Sequence, residues 1–259
     1  ITHPILDALT SYGTQLVWPL KPIPASWASL FIIDPFFTVP LLLAVLAGLL
    51  AGFGPRTLGA LKVTLAWCCI YAAASLGLKN LTEQRVVQAL ANQGIQVDAV
   101  FSTPQPFNIL LWRVVARTPD DHYIEAIHSV LDTRPAEFIR LPLNSHLARE
   151  IPPLPQLDGL QWFSGNWLRY DEIQGQLVVS DLRMGLATGY YSFRFLIARR
   201  TGPDGNWQTI TPEYWPTNRG TSELNRVLQR IVQQDPPLPL AQWEQRMTEI
   251  PPRAPGRFF

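Results

Sequence analysis

Phe36-Phe-Thr-Val-Pro-Leu-Leu-Leu-Ala-Val-Leu-Ala-Gly-Leu-Leu-Ala-Gly-Phe53 carries no charged side chain, and the uncharged stretch runs on to Pro55. A helix needs about 20 apolar residues to cross a bilayer. A surface helix keeps one polar face; this run is apolar on every face. A buried core helix is the competing reading, and the length and all-round apolarity favour a span. Pro40 lies near one end, where a helix tolerates proline. Gly54-Pro55-Arg56 then forms a tight connection. Leu58 to Leu78 reads as a second span, with Lys62 in its first turns reaching back to the interface. Gly48 and Gly52 make a small-xxx-small pair that lets helices pack closely, although ordinary glycine content accounts for them equally well.

Outward from these runs the composition changes. The chain has 259 residues, 24 prolines, a formal net charge of +1 and only 16% charged residues. That charged fraction is below the roughly 25% of an average soluble domain. The deficit is local to the apolar runs. The balance of charge gives no basic face for a phosphate backbone, so a nucleic-acid partner is not expected. The two cysteines, Cys68 and Cys69, are adjacent inside an apolar run, which excludes both a disulfide framework and a zinc ribbon.

Three regions are expected. Residues 1–79 form a membrane part: a helix over 1–12 closed by Gly13, a proline-rich loop, and two transmembrane helices. Trp18, Lys21 and Trp27 in the loop suit the bilayer interface. Residues 80–250 form a soluble α+β domain built on an antiparallel meander. Its first element is an amphipathic helix over 80–94, with Asn80 as N-cap and Gly94 as stop. Strands follow over 97–102, 107–117, 122–131, 167–173, 176–181, 190–200 and 207–210, with loops and a short helix over 135–164. Helices are expected at 222–233 and 240–248, and residues 251–259 as a loose tail. Two spans return the chain to its starting side, so the N-terminal helix and the soluble domain face one compartment.

The candidate chemistry begins in the first seven residues. His3 and Asp7 are four apart, which places both on one face of a helix. An imidazole beside a carboxylate can hold a divalent metal; a helix start with a surface histidine is the plainer alternative. Asp34 is a weaker third ligand, competing with a role as N-cap before Pro35. Asp120, Asp121 and His122 cluster, as a polar hairpin turn would. Asp181 and Arg183 point to one side of a strand, as a site or as a structural ion pair. His128 and His146 stand singly and read as surface or satisfied residues. Trp112 reads as core and Arg113 as the partner of an acid. No nucleophile elbow, P-loop or dinucleotide fingerprint is present.

The run Thr2-His3-Pro4-Ile5-Leu6-Asp7-Ala8-Leu9-Thr10-Ser11-Tyr12-Gly13-Thr14, then Trp18-Pro19, then Phe31-Ile32-Ile33-Asp34-Pro35-Phe36-Phe37-Thr38, resembles the YdjM-type family of bacterial membrane-bound metal-dependent hydrolases, described as LexA-regulated inner-membrane proteins. The resemblance continues through Thr103 to Val115 and Ser180 to Gly185. It implies a multi-pass protein of the bacterial inner (plasma) membrane, a bound divalent metal such as zinc, and hydrolysis of a phosphoester or lipid. His3 and Asp7 carry over as metal ligands, with Asp34 the weaker third. The family pattern also has an upstream segment with further histidines and acids. The chain opens on Ile1 without an initiator methionine, so the expectation is an N-terminally truncated member with part of its metal site missing. The rival reading is a membrane-anchored non-catalytic binding module that uses the aromatic-rich strands at 107–117 and 190–197.

Overall fold

The structure, a computed structural model, describes residues 2–187, 189–202, 205–216 and 221–250. The expected tail over 251–259 lies outside the described residues.

The apolar run folds as a helix, α2 (Pro35–Ala51), preceded by a short α1 (Thr2–Ala8). α2 starts where the sequence dictates. Asp34 accepts from the amides of Phe36 and Phe37, and Pro35 occupies the first helical position, where its missing N–H is no loss. α3 (Pro55–Ala91) then runs back along α2. The indole of Trp67 donates to the Phe36 carbonyl at 2.9 Å, and the Tyr71 hydroxyl donates to Asp34. The Phe53 ring folds onto Gly48, so that glycine serves the turn between the helices, while a side chain on Gly52 would meet nothing.

α3 corrects one expectation. A span ending at Leu78 and a separate helix capped by Asn80 are a single helix of 37 residues, about 55 Å long at about 1.5 Å per residue. Nothing breaks the helix at Asn80, because Leu78-Lys79-Asn80-Leu81 contains neither glycine nor proline and Lys79 pairs with Glu83 one turn on. α3 is long and apolar enough to cross a membrane, and only 17% of its apolar window is buried within the chain. α2, at 17 residues, is apolar but shorter. The expected pair of transmembrane helices is therefore one clear candidate and a shorter apolar companion.

Past the apolar part, α3 enters the globular domain. The sheet beneath it contains β1 (Ala99–Pro104), β2 (Leu111–Thr118), β3 (His122–Ser129) and β4 (Glu137–Pro142), paired antiparallel in chain order. Val86 and Leu90 pack on Val114, Ala116, Ile124 and Ala126, which alternate along one face of β2 and β3. Lys79 donates to the Ser102 carbonyl at 2.9 Å, and the Ser102 hydroxyl donates to Glu83 at 2.7 Å, clasping α3 to β1. Sequence reading left β4 as loop: it is an edge strand whose alternation is weak and whose last residue is proline.

A second meander follows. Helices α4 (His146–Glu150) and α5 (Pro155–Ser164) lead into β5 (Leu168–Ile173), β6 (Gln176–Asp181), β7 (Arg194–Arg199) and β8 (Gln208–Tyr214). Leu154 and Leu157 pack on Leu168, Tyr170, Leu177, Val179 and Ile197, the alternate positions of one sheet face. The single meander expected is thus two four-stranded sheets, within the expected α+β class. Two further helices close the described chain, α6 (Thr221–Arg230) and α7 (Leu240–Gln245). Val227 and Trp243 pack on Leu111 and Ile127 of the first sheet.

Residues 9–30 lie against the globular domain. Ala28 joins a cluster with Phe101, Trp167 and Tyr191. The Trp162 indole donates to the Lys21 carbonyl, and Tyr12 meets the Phe163 ring edge-on.

Candidate functional site

α1 places His3 and Asp7 as the spacing predicts. Nε2 of His3 is 3.3 Å from Oδ2 of Asp7, with side chains 87% and 51% exposed. Asp34 is elsewhere in use and 2% exposed. Its Oδ1 accepts two backbone amides and its Oδ2 accepts the Tyr71 hydroxyl at 2.9 Å. Of its two readings, the cap is the one with partners. Among the described residues no three of His, Cys, Asp or Glu stand together as a metal cluster. A catalytic zinc site uses three protein ligands and an open position. His3 and Asp7 are two, so the donors described here do not make such a site by themselves.

The densest polar chemistry lies between the two sheets. On the face of the first sheet turned away from α3, Arg113 of β2 donates to Glu125 of β3 at 2.9 Å, to the Tyr191 hydroxyl at 2.8 Å and to the Leu182 carbonyl at 2.7 Å. Tyr191 in turn donates to Glu125 at 2.6 Å. From the second sheet, Arg169 meets Asp171 and Glu244, each at 2.7 Å, and donates to the Tyr123 hydroxyl at 3.2 Å. Arg194 donates to Ser180 and to the Met247 carbonyl. Arg183 pairs with Asp181 through two hydrogen bonds, which settles that couple as a buried structural pair.

Burial opposes the charge on Glu125, but the Arg113 guanidinium outweighs it and holds the carboxyl below its ordinary value. Burial raises the Tyr191 phenol well above its ordinary value, so it stays a donor. The backbone approaches closely here: a Cβ on Gly185 would stand 2.8 Å from Arg113 Cζ and 2.8 Å from a Tyr191 ring carbon. The network can bind sheet to sheet with fixed geometry. Its arginines are all engaged and its phenols are buried; Asp171 Oδ2 and Arg113 Nε are buried without a hydrogen-bond partner among the described residues.

The remaining candidates separate. Asp120, Asp121 and His122 form the β2–β3 turn, with Asp120 held by Arg140 and Thr118. Trp112 is core, and His146 is exposed at the start of α4. Cys68 is buried and Cys69 exposed, neither in a disulfide. His128, read from sequence as a surface or satisfied residue, is 4% exposed and faces Asp132 at 3.2 Å. The signal for it was Ile124, Ala126 and His128 falling on one strand face, the face that packs on α3.

Searches of curated proteins and of solved structures gave no match. Residues 1–81 match the model of a family described as YdjM inner membrane protein. The matched segment takes in α1, the loop, α2 and the apolar part of α3, and stops where α3 meets the first sheet. Over residues 1–81 the chain is thus similar to the YdjM inner membrane protein family.

Proposed function

We propose that α2 and the first part of α3 form a hairpin inserted in the inner membrane, and that α3 carries the two-sheet domain as a binding module at the bilayer face. The observation that carries this reading is where α3 is covered and where it is bare. Val86 and Leu90 are almost fully buried on the first sheet, while outward residues of the hairpin have no cover, Leu50 being 88% exposed and Val63 72%. Exposed apolar area on this scale belongs to a partner or to lipid. Ahead of α2, at the opposite end of the hairpin from Leu50, Trp18 is 75% exposed and Ile32 74%, with Trp27, Leu20 and Ile33 also exposed. Aromatic and aliphatic side chains of this kind suit the headgroup boundary. The hairpin would make the protein multi-pass, with both of its ends on one side. Reconstitution into vesicles followed by an alkaline carbonate wash tests this: the chain stays with the vesicles if the hairpin inserts and is released if it only adsorbs.

A second reading, a metal-dependent hydrolase acting on a phosphoester or lipid, rests on His3 and Asp7 meeting on α1 inside the family-matching segment. Elemental analysis of the purified chain and of H3A tests it. A stoichiometric divalent ion lost in H3A favours the hydrolase; no ion in the unaltered chain removes the reading for the residues described.

A further inference from the structure

A cleft of about 580 Å³ opens between the flank of α3 and the connection from β3 to β4. That volume falls within the range of small-molecule sites. α3 contributes Arg85, Gln88 and Asn92, spaced along one flank, and the connection contributes Arg134. His128 lines it from β3, on the same sheet face as Ile124 and Ala126 beneath α3.

His128 is built in. Its Nδ1 lies 3.2 Å from Asp132 Oδ2. Asp132 is itself fixed by two hydrogen bonds from Arg230, at 2.7 and 2.6 Å, and by the Ser129 amide at 2.9 Å. The acid is held firmly and stands against the imidazole without a hydrogen bond to it. Both ring nitrogens, Nδ1 as well as Nε2, are buried without a hydrogen-bond partner among the described residues. Leaving such a group unpaired costs about 1–3 kcal/mol. Arg85 donates to the Val130 carbonyl at 3.1 Å and pairs with no carboxylate among the described residues. The cleft therefore combines the Arg85 guanidinium, an imidazole with unpartnered nitrogens and side-chain amides with one carboxylate, Asp132, whose charge Arg230 offsets.

We infer that this cleft binds an oxyanion of the phosphate class through Arg85 and His128. Guanidinium and phosphate match in geometry and charge. The imidazole serves in either form, donating from Nε2 to a full anion or accepting the acid proton of a monoester. Two sources share this chemistry, a free phosphate compound and a phospholipid headgroup. Position admits both, because Leu81 at the cleft's near end lies only three residues past Leu78, about 5 Å along the helix. This inference gives the binding module a ligand class and rests on that reading only for the headgroup source.

The test uses the full chain in detergent with labelled histidine rings, of which it has 4. H128Q assigns the His128 signal. Inorganic phosphate that shifts this signal saturably, with about tenfold or more weakening in R85Q, supports a site for free phosphates. If phosphate has no effect, the chain is placed in nanodiscs of phosphatidylcholine with and without phosphatidylglycerol. A shift that needs phosphatidylglycerol and is lost in R85Q supports the headgroup source. No shift in either setting, or a shift that R85Q leaves unchanged, overturns the inference. Arg85 is exposed, so R85Q folds. The detergent titration does not require membrane insertion, so a failure here and a failure of the carbonate wash are separate results.

Discussion

The Tyr71 hydroxyl donates to Asp34 Oδ2 at 2.9 Å, tying the middle of α3 to the N-cap of α2. One carboxylate thus starts one apolar helix and pins it to the next. Replacing Asp34 by Ala removes both functions and should cost about 1–3 kcal/mol. Asn at this position keeps an accepting oxygen and should cost less. Thermal unfolding in detergent checks the order D34A below D34N below the unaltered chain; equal loss in both would give the charge, not the cap, the larger part.

The Arg113–Glu125 pair makes an asymmetric prediction. E125Q leaves a guanidinium buried without its counter-charge and should destabilise by about 3–5 kcal/mol. Replacing both residues by apolar ones of similar volume should cost much less, because neither charge then has to leave water. Denaturant unfolding of E125Q, R113M, E125L and the R113M/E125L double variant measures this. Additive losses would contradict the account.

Acid should weaken the fold for a defined reason. Glu125 is held below its ordinary pKa by Arg113 despite burial. Asp132 is likewise held low, burial being outweighed by His128 and Arg230. A carboxyl whose folded pKa is depressed stabilises above its unfolded pKa and loses that contribution as pH falls through the folded value. Stability should therefore be level near neutrality and decline once pH drops below about 4. A shallower acid decline in E125Q than in the unaltered chain is the expected outcome.

The continuity of α3 through Asn80 is testable with one substitution. If Asn80 capped a new helix, Leu81 would be its first residue, where proline is tolerated. In an unbroken helix L81P removes a hydrogen bond and clashes, costing about 3 kcal/mol or more. A large fall in the unfolding midpoint is expected; an unchanged midpoint would restore the two-helix description.

What the sequence made legible follows from where its signals are local. The cap at Asp34, the helix over the uncharged run after it, the Asp120–Asp121 turn and the strand over Gln176–Asp181 all depend on neighbours within a few residues, and each is found where the sequence places it. The join at Asn80 was misread because a good capping residue was taken as a start, whereas no proline stands just before it and Gly77 is carried inside the helix. β4 was missed because an edge strand is held by its partner, here through pairs such as Glu125 with Ile139. The sheet-to-sheet ionic network was invisible for the same reason. Arg113 and Tyr191 are 78 residues apart, and nothing in either segment names the other. His128 looked solitary because Arg230, which fixes its aspartate, lies far along the chain.

The most direct test of the membrane reading is a nitroxide scan of the hairpin in vesicles, with Cys68 and Cys69 replaced by alanine. Labels at Leu42, Leu43, Leu46 and Ile70, all outward-facing and exposed within the chain, should be reached by oxygen far more than by a water-soluble nickel chelate. Accessibility to the chelate along the length of α2 would place the hairpin in water and contradict the account.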